Sequence, residues 1–292
     1  MTSGKYHIEH EEWMKTSDGQ NRGHIDMDRL RELWIHCGTG CNLSCPDCFE
    51  HASPGDNRLE AVSLADVRDY IDEAVELGVE KFSFTGGEPF LVSDTIAILR
   101  YVLERRPCLV LSNGTEPLRE CWEDILSLRD EKCALSFRIS IDYPDSAKHD
   151  ERRGEGAFEI ALETVRKLHE SGFAVSVARR QSGEEDLEKV AAGYREMFRE
   201  HGLPEDISVI SFPGLHAVEG PEVSENCIAT YHTPESCRKF MCAFSRMLVK
   251  EDGKMRVYAC TLVDDHPHYD LGSSLKGAVE TRVLLEHPRC FT

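Results

Sequence analysis

A strand-then-helix unit is repeated along most of this chain. Short apolar segments predict six strands, at residues 31–36, 82–85, 108–111, 135–141, 173–178 and 207–211. Apolar residues at helical spacing predict helices between them, at residues 64–77, 95–105, 117–128, 157–169 and 184–201. Parallel neighbours need crossover connections, so this alternation predicts an α/β fold with a parallel sheet. Right-handed crossovers would curl the sheet into a partial (β/α)6 barrel.

Polar segments follow four of the predicted strands. Residues 41–48 contain three cysteines, residues 86–89 read Gly-Gly-Glu-Pro, residues 112–114 read Ser-Asn-Gly, and Asp142 ends the fourth strand. Working residues of β/α barrels cluster after the carboxyl ends of the strands. We therefore expect these four segments to lie on one rim.

The three cysteines are Cys41, Cys45 and Cys48. Three thiolates at this spacing can hold three irons of a 4Fe–4S cluster, whereas a cluster normally takes four cysteine ligands. The open corner favours a cluster that binds a substrate over one that only carries electrons. A zinc site is the alternative, because His36 and His51 flank the triplet.

Charge and composition exclude some functions and favour one compartment. The net charge of −19 argues against wide contact with nucleic acids or anionic membranes, which need basic surface. The sequence has neither an apolar run of transmembrane length nor the apolar core of a signal peptide. We expect a cytoplasmic protein whose 12 cysteines stay reduced and serve as ligands.

At these motifs the chain resembles the radical S-adenosylmethionine (SAM) enzymes. The resemblance rests on Cys41-x3-Cys45-x2-Cys48 followed by Thr-Gly-Gly-Glu-Pro at residues 85–89, and it extends over residues 33–211. Residues 149–158 are similar to a segment of the SPASM/twitch branch of that superfamily. One departure is Asp47, which stands just before the third cysteine, where family members often have an aromatic residue.

The resemblance implies a SAM site around the open iron, which would chelate the amino and carboxylate groups of SAM. Gly86 and Gly87 would let the backbone approach this ligand, with a carbonyl accepting from the methionine ammonium. Glu88 would add negative charge nearby, and Pro89 completes the motif. An ordinary strand-to-loop turn is the alternative for these four residues.

Five further side chains are implied as SAM contacts. Ser140 and Asp142 are placed to bond ribose hydroxyls, as acidic residues do at strand ends in nucleotide-binding folds. Ser112 and Asn113 would line the same pocket or shape a turn. Arg153 would pair with the SAM carboxylate or remain a surface charge.

The resemblance also implies an activity and partners. A 4Fe–4S cluster would cleave SAM reductively, and the 5′-deoxyadenosyl radical would abstract a hydrogen atom from a small-molecule or peptide substrate. The electron would come from a flavodoxin- or ferredoxin-type donor. The segment before Leu33 is too short for a separate peptide-recognition domain, which favours small substrates or a separate recognition partner. A non-catalytic iron–sulfur or zinc sensor on the same barrel is the alternative function.

The last third of the chain predicts a hairpin followed by a short helix. Residues 247–250 and 255–259 read as strands around an Asp-Gly turn, and a helix is expected to end near residue 285. We expect the chain to divide into a polar N-terminal segment at residues 1–30, the barrel at 31–215, and an extension at 216–292 that contains this hairpin and resembles a twitch or SPASM domain.

This extension is expected to hold an auxiliary iron–sulfur cluster. Cys242 precedes the hairpin and Cys260 ends it, and these two with Cys290 are the preferred ligands. The fourth position is open between Cys237, Cys227, a cysteine beyond the end of this sequence, and an iron that binds substrate. A zinc site is the main competitor.

Overall fold

The computed structural model describes residues 13–181, 183, 185–212, 222–263 and 266–291, which divide into two compact units. The first unit contains the described parts of residues 1–36, 65–82 and 215–292. The second contains those of residues 37–64 and 83–214. Among the described residues, no helix has both the length and the apolar content to cross a membrane.

The secondary structure alternates as the sequence predicts. The strands are β1 (His24–Ile25), β2 (Glu32–His36), β3 (Lys81–Thr85), β4 (Cys108–Ser112), β5 (Leu135–Ser140), β6 (Ala174–Arg180), β7 (Ser208–Phe212), β8 (Ser245–Glu251), β9 (Lys254–Tyr258) and β10 (Val283–Leu284). The helices are α1 (Leu64–Glu76), α2 (Thr95–Leu103), α3 (Glu116–Glu120), α4 (Trp122–Ser127), α5 (Ser146–Arg153), α6 (Ala157–Glu170), α7 (Leu187–Glu200), α8 (Glu225–Tyr231), α9 (Pro234–Cys237) and α10 (Leu275–Glu280). All six predicted strands are confirmed, as β2 to β7, within two residues at each end.

In the second unit, β4, β5, β6 and β7 lie side by side in sequence order, and each neighbouring pair is parallel. The register sets Ser112 of β4 opposite Ile139 of β5, and Ser140 of β5 opposite Ala178 of β6. The carboxyl ends of these strands therefore meet at one edge of the sheet, from which the polar segments leave.

Helix α6 illustrates why the helices of the second unit form where they do. Its buried side chains include Phe158, Ala161, Leu162, Val165 and Leu168. Their spacing of three and four residues places them on one face, as an amphipathic helix requires. The burial of this face gives the helix most of its stability.

The first unit contains the predicted hairpin. β8 pairs with β9 in antiparallel fashion, and β2 pairs with β8 in parallel. The turn residues Asp252 and Gly253 have φ of 49° and 70°. Two positive φ angles match the right-handed twist of a hairpin, which confirms the Asp-Gly signal.

Two predicted helices differ from the structure. The helix expected over residues 117–128 is divided into α3 and α4, because Cys121 has a non-helical backbone with φ −88° and ψ 13°. The helix expected to reach residue 285 ends at Glu280, where Thr281 turns extended. Val283 and Leu284 pair with β1 instead, so this apolar run is a strand.

Candidate functional site

The three cysteines of residues 41–48 lie on a loop that folds back on itself. The amide of Cys41 donates to the carbonyl of Ser53 at 3.3 Å, and that of Cys48 donates to the carbonyl of Cys45 at 3.1 Å. The thiols of Cys41, Cys45 and Cys48, called the loop thiols below, are half-buried and form no disulfide. The folded loop thus keeps three thiols available as ligands.

Gly86 and Gly87 lie directly against the cysteine loop. The amide of Gly87 donates to the carbonyl of Gly38 at 2.8 Å, and that of Glu88 donates to the carbonyl of Gly40 at 3.0 Å. A Cβ at residue 87 would lie 2.1 Å from the Gly40 oxygen, and Gly86 has a φ of +129°. Only glycine fits both positions. These two glycines therefore let the backbone after β3 pack directly against the cysteine loop.

The Glu88 carboxylate points into the protein, where Pro89 starts a 3₁₀ turn. It accepts from the Ser112 hydroxyl at 2.9 Å, the Asn113 amide at 2.8 Å and the Phe90 amide at 3.2 Å. Burial raises the pKa of Glu88 to about 7, against the lowering effect of these donors. Glu88 and Ser112 therefore have internal partners, and their contact with SAM stays a prediction.

A network of amide and hydroxyl groups joins the loop after β4 to the cysteine loop. The side-chain nitrogen of Asn113 donates to the side-chain oxygen of Asn42 at 2.9 Å, and the side-chain nitrogen of Asn42 donates to the Thr115 hydroxyl at 2.9 Å. The same Asn113 nitrogen lies 3.8 Å from the Cys41 sulfur. The sequence predicted Asn113 at this site. Asn42 and Thr115 were missed, because a local pattern does not show that two loops meet.

Asp142 and Arg153 form a bidentate ion pair beyond the end of β5. Arg153 Nε lies 2.7 Å from Asp142 Oδ2, and Nη2 lies 3.3 Å from Oδ1. Burial raises the pKa of Asp142, but the Arg153 charge and its hydrogen bonds outweigh burial and hold the pKa below its usual value. Burial raises the pKa of Cys45, and the Arg153 charge opposes this rise. The predicted Arg153 pairing with SAM stays a prediction beside this observed partner.

The imidazole of His149 forms a hydrogen bond with the main chain of Asp142. Its Nδ1 accepts from the Asp142 amide at 3.1 Å, and the ring is buried. Burial lowers the pKa of His149 to about 4, so the neutral ring accepts this hydrogen bond. Ser140 ends β5 two residues earlier and is half-buried. The end of β5 is thus a fixed polar edge that carries Ser140 and Asp142.

Asp47, the residue that departs from the family pattern, is held by two arginines. Its carboxylate pairs with Arg152 and lies 3.3 Å from Arg180 Nη1, which also donates to the Asp47 carbonyl at 2.9 Å. Arg179, the preceding residue, is buried and pairs with Glu185. Because side chains alternate along a strand, one of these two neighbours faces the cysteine loop, and it is Arg180.

The loop thiols fit an iron–sulfur cluster by donor chemistry and by their place on one loop. Burial raises the pKa of Cys41 to about 11. Iron binds such thiols as thiolates and so removes their protons. In the described part of the chain, no group of three His, Cys, Asp or Glu side chains is arranged to hold a metal ion as it stands.

A second set of thiols lies in the first unit, around the hairpin. Cys242 and Cys260 are buried, and the Cys290 sulfur lies 3.9 Å from the hydroxyl of Tyr269, whose carbonyl accepts from the amide of Ala259, the residue before Cys260. Burial raises the pKa of Cys242 to about 12 and raises that of Cys290. The segments that carry the three predicted ligands are therefore connected within one unit.

The structure also separates the two candidates for the fourth position. Cys237, at the end of α9, acts electrostatically on Cys242. Cys227 lies in α8 and bonds to Ser224, with 3.4 Å between sulfur and hydroxyl. Cys237 is thus the better placed of the two. Cys237, Cys242, Cys260 and Cys290 are called the C-terminal thiols below.

Comparison with known proteins agrees with this geometry. The model of the radical SAM superfamily matches residues 35–180. The subtilosin biosynthesis protein AlbA of Bacillus subtilis is 34% identical over 165 residues, which are 56% of this chain and 35% of AlbA. An AdoMet-dependent heme synthase of Nitratidesulfovibrio vulgaris is 29% identical over 143 residues, 47% of this chain and 36% of that enzyme. The matched region spans about a third of these relatives.

Solved structures share the fold. Streptococcus suis SuiB bound to S-adenosylmethionine superimposes with a TM-score of 0.62 at 14% identity, covering 84% of this chain and 63% of SuiB. SuiB bound to its precursor peptide SuiA gives 0.59 at 15% identity, covering 82% and 61%. The predicted fold class, a partial (β/α)6 barrel core, is confirmed by this likeness.

The family match explains the cofactors that the cysteine loop predicted. Radical SAM enzymes bind a 4Fe–4S cluster and SAM, and the matched region contains the loop thiols, the glycine pair and the Asp142–Arg153 pair. It covers 146 of 292 residues, counted from 35 to 180, which is half of the chain. The chain belongs to the radical SAM superfamily.

Proposed function

We propose that this enzyme cleaves SAM reductively at a 4Fe–4S cluster on the loop thiols and abstracts a hydrogen atom from a peptide. The observation that carries the proposal is the joining of the cysteine loop to two other strand ends. Gly87 bonds to Gly38, and Asn113 reaches both Asn42 and the Cys41 sulfur. When bound, the cluster and SAM supply a 5′-deoxyadenosyl radical.

The chain's own residues would bind and orient SAM. Asp142 is kept ionised by Arg153, and a carboxylate has more acceptor sites than the two that this pair uses. The acceptor capacity that remains beside the Arg153 bonds and a bond from the Arg180 main chain suits a ribose hydroxyl, with Ser140 beside it. A carboxylate fixed by a bidentate pair loses little freedom on binding, so its hydrogen bonds orient the nucleoside at low entropic cost.

Two observations favour a peptide as the substrate. AlbA, a protein of bacteriocin biosynthesis, matches over 56% of this chain. The fold also accommodates a peptide, as the SuiB complex with precursor peptide SuiA demonstrates for that protein. A small-molecule substrate is the second candidate, because heme synthases match over 47% of the chain.

We extend the proposal to a second cluster on the C-terminal thiols. The C-terminal thiols are four free thiols of one unit, the number of ligands that an iron–sulfur cluster normally takes. Such a cluster could accept the electron that remains on the substrate after hydrogen abstraction. The electron that starts the reaction would come from a flavodoxin- or ferredoxin-type donor.

The test of SAM cleavage is an anaerobic assay of the reconstituted protein with dithionite and SAM. We expect 5′-deoxyadenosine from the wild type and none above background from Cys45→Ala. Cys121→Ala is the matched control, because Cys121 is also half-buried but lies outside both thiol sets. A loaded wild-type protein that forms no 5′-deoxyadenosine would instead support the non-catalytic sensor.

The substrate class can be tested with an extract of the source cells. We expect the extract to increase 5′-deoxyadenosine above the rate with SAM alone, and we expect protease treatment of the extract to remove that increase. An increase that survives the protease and passes a small-pore membrane would replace the peptide with a small molecule.

A further inference from the structure

Arg246 in β8 is a fully buried guanidinium. Its nitrogens donate to main-chain carbonyl oxygens at 2.7–3.5 Å. These carbonyls belong to Cys242, Ser245, Ala259, Ala278 and Thr281. The carbonyls satisfy the hydrogen-bond donors, but they carry no net charge to balance the guanidinium.

Within the residues that the structure describes, Arg246 has no ion pair with a carboxylate. A second buried arginine of the same unit shows what the usual arrangement looks like. Arg22 also donates to carbonyls, but Glu222 and Glu286 each lie 3.7 Å from its guanidinium. Buried charges are normally paired, so Arg246 calls for an anionic partner.

Two of the carbonyls that Arg246 contacts belong to Cys242 and to Ala259, which directly precedes Cys260. As thiols, the side chains of Cys242 and Cys260 are neutral and leave the positive charge unbalanced. Metal binding converts thiols to thiolates, and four thiolates around a 4Fe–4S core give the whole assembly a net negative charge. An iron–sulfur cluster on the C-terminal thiols would therefore supply the negative charge that Arg246 lacks.

We propose that Arg246 is the counter-charge of an anionic iron–sulfur cluster on the C-terminal thiols and raises its reduction potential. This inference rests on the second cluster proposed above. Arg246 also acts as a positioning residue, since it bonds the carbonyl of Cys242 and that of Ala259, which directly precedes Cys260. One side chain thus fixes two ligand segments and balances their charge.

The sign of the effect follows from electrostatics. Reduction adds one electron to the cluster and makes it more negative, so a fixed positive charge nearby favours the reduced form. Net charge and hydrogen bonding are among the factors that set the potentials of such clusters. Loss of the Arg246 charge should therefore shift the potential to more negative values.

The test measures the second cluster alone, in protein with Cys41, Cys45 and Cys48 all replaced by alanine. An EPR-monitored redox titration compares this protein with versions that also carry Arg246→Gln, Arg246→Lys or Arg22→Gln. We expect a more negative potential for Arg246→Gln, a potential close to that of the parent for Arg246→Lys, and no shift for Arg22→Gln.

Each negative outcome has its own meaning. An unchanged potential in iron-loaded Arg246→Gln would overturn the counter-charge. Absence of iron from the parent protein would overturn the second cluster instead. Should Arg246→Gln not fold, ENDOR of the parent with ¹⁵N-labelled arginine decides. A nitrogen coupling that disappears in Arg246→Lys supports the inference, and no arginine coupling contradicts it.

Discussion

The two sets of thiols differ in how the surrounding charges are balanced. At the loop thiols, Arg153 pairs with Asp142, and both Arg152 and Arg180 pair with Asp47. At the C-terminal thiols, Arg246 has main-chain carbonyls as its partners. At the first site each of these arginines has a carboxylate partner, whereas Arg246 at the second site has none among the described residues.

This difference suits two kinds of bound group. A site whose arginines are paired with its own carboxylates can bind and release a zwitterion such as SAM without leaving a buried charge unpaired. A site with a fixed, unpaired cation suits an anionic group that stays bound. We infer that the loop thiols serve an exchangeable ligand and that the C-terminal thiols serve a permanent one.

The largest expected effect comes from breaking the second site alone. Cys260→Ala should remove one of two clusters, about half of the iron, while SAM cleavage without substrate continues. Iron analysis and the 5′-deoxyadenosine assay measure the two quantities on the same sample. If Cys260→Ala and Cys45→Ala lost both properties equally, the two thiol sets would not be independent sites.

Asp142→Asn should leave the first site, like the second, with an arginine that lacks its carboxylate partner. It leaves the Arg153 guanidinium mostly buried beside a neutral amide, and removal of one partner of a buried pair costs about 3 kcal/mol or more of unfolding free energy. Urea unfolding of the iron-free protein measures the loss. Asp142→Asn/Arg153→Met should recover part of it, and no recovery would show that the ion pair is not the cause.

Glu88→Gln should flatten the pH dependence of stability. The pKa of Glu88 rises from 4.5 to about 7, so between these values the folded protein holds a proton that the unfolded chain releases. The contribution of Glu88 to the free energy of unfolding is then highest below pH 4.5 and falls until about pH 7, by up to about 3 kcal/mol. Urea unfolding at several pH values, with and without Glu88→Gln, isolates the contribution. Parallel curves would refute it.

Asp47→Asn should have the smallest effect on stability. The side chains of Asp47, Arg152 and Arg180 are 37%, 32% and 25% exposed. Ion pairs with this exposure contribute about 0–1 kcal/mol. The comparison with Asp142→Asn by urea unfolding tests whether burial separates the two pairs. A loss as large as that of Asp142→Asn would mean that Asp47 holds the cysteine loop in place.

The sequence predicted the parts of the fold that depend on local patterns. Strands β2 to β7 follow from apolar runs, and the hairpin turn follows from Asp252 and Gly253. The division between α3 and α4 was missed, because Cys121 has no breaker signal such as glycine or proline. β10 was missed because a short apolar run fits a strand and a helix equally well until its partner β1 is known.

The site shows the same limit at longer range. The loop thiols and the residues after β4 and β5 were predicted from motifs. The partners of Asp47 lie 105 and 133 residues away in the chain, and no local spacing reports such a pairing. Arg246 was not singled out either, because a lone arginine in a strand gives no sign of its burial until the hairpin and the cysteines are placed together.

Gly87 lies against the Gly40 carbonyl with no room for a Cβ, so the cysteine loop is held in place by main-chain contacts that need no iron. Oxygen destroys the iron–sulfur clusters of radical SAM enzymes. A chain whose cysteine loop keeps its shape after the metal is lost can be supplied with a new cluster while it stays folded. In this enzyme, we expect oxidative damage at the loop thiols to be repaired by cluster replacement and not to require new synthesis of the chain.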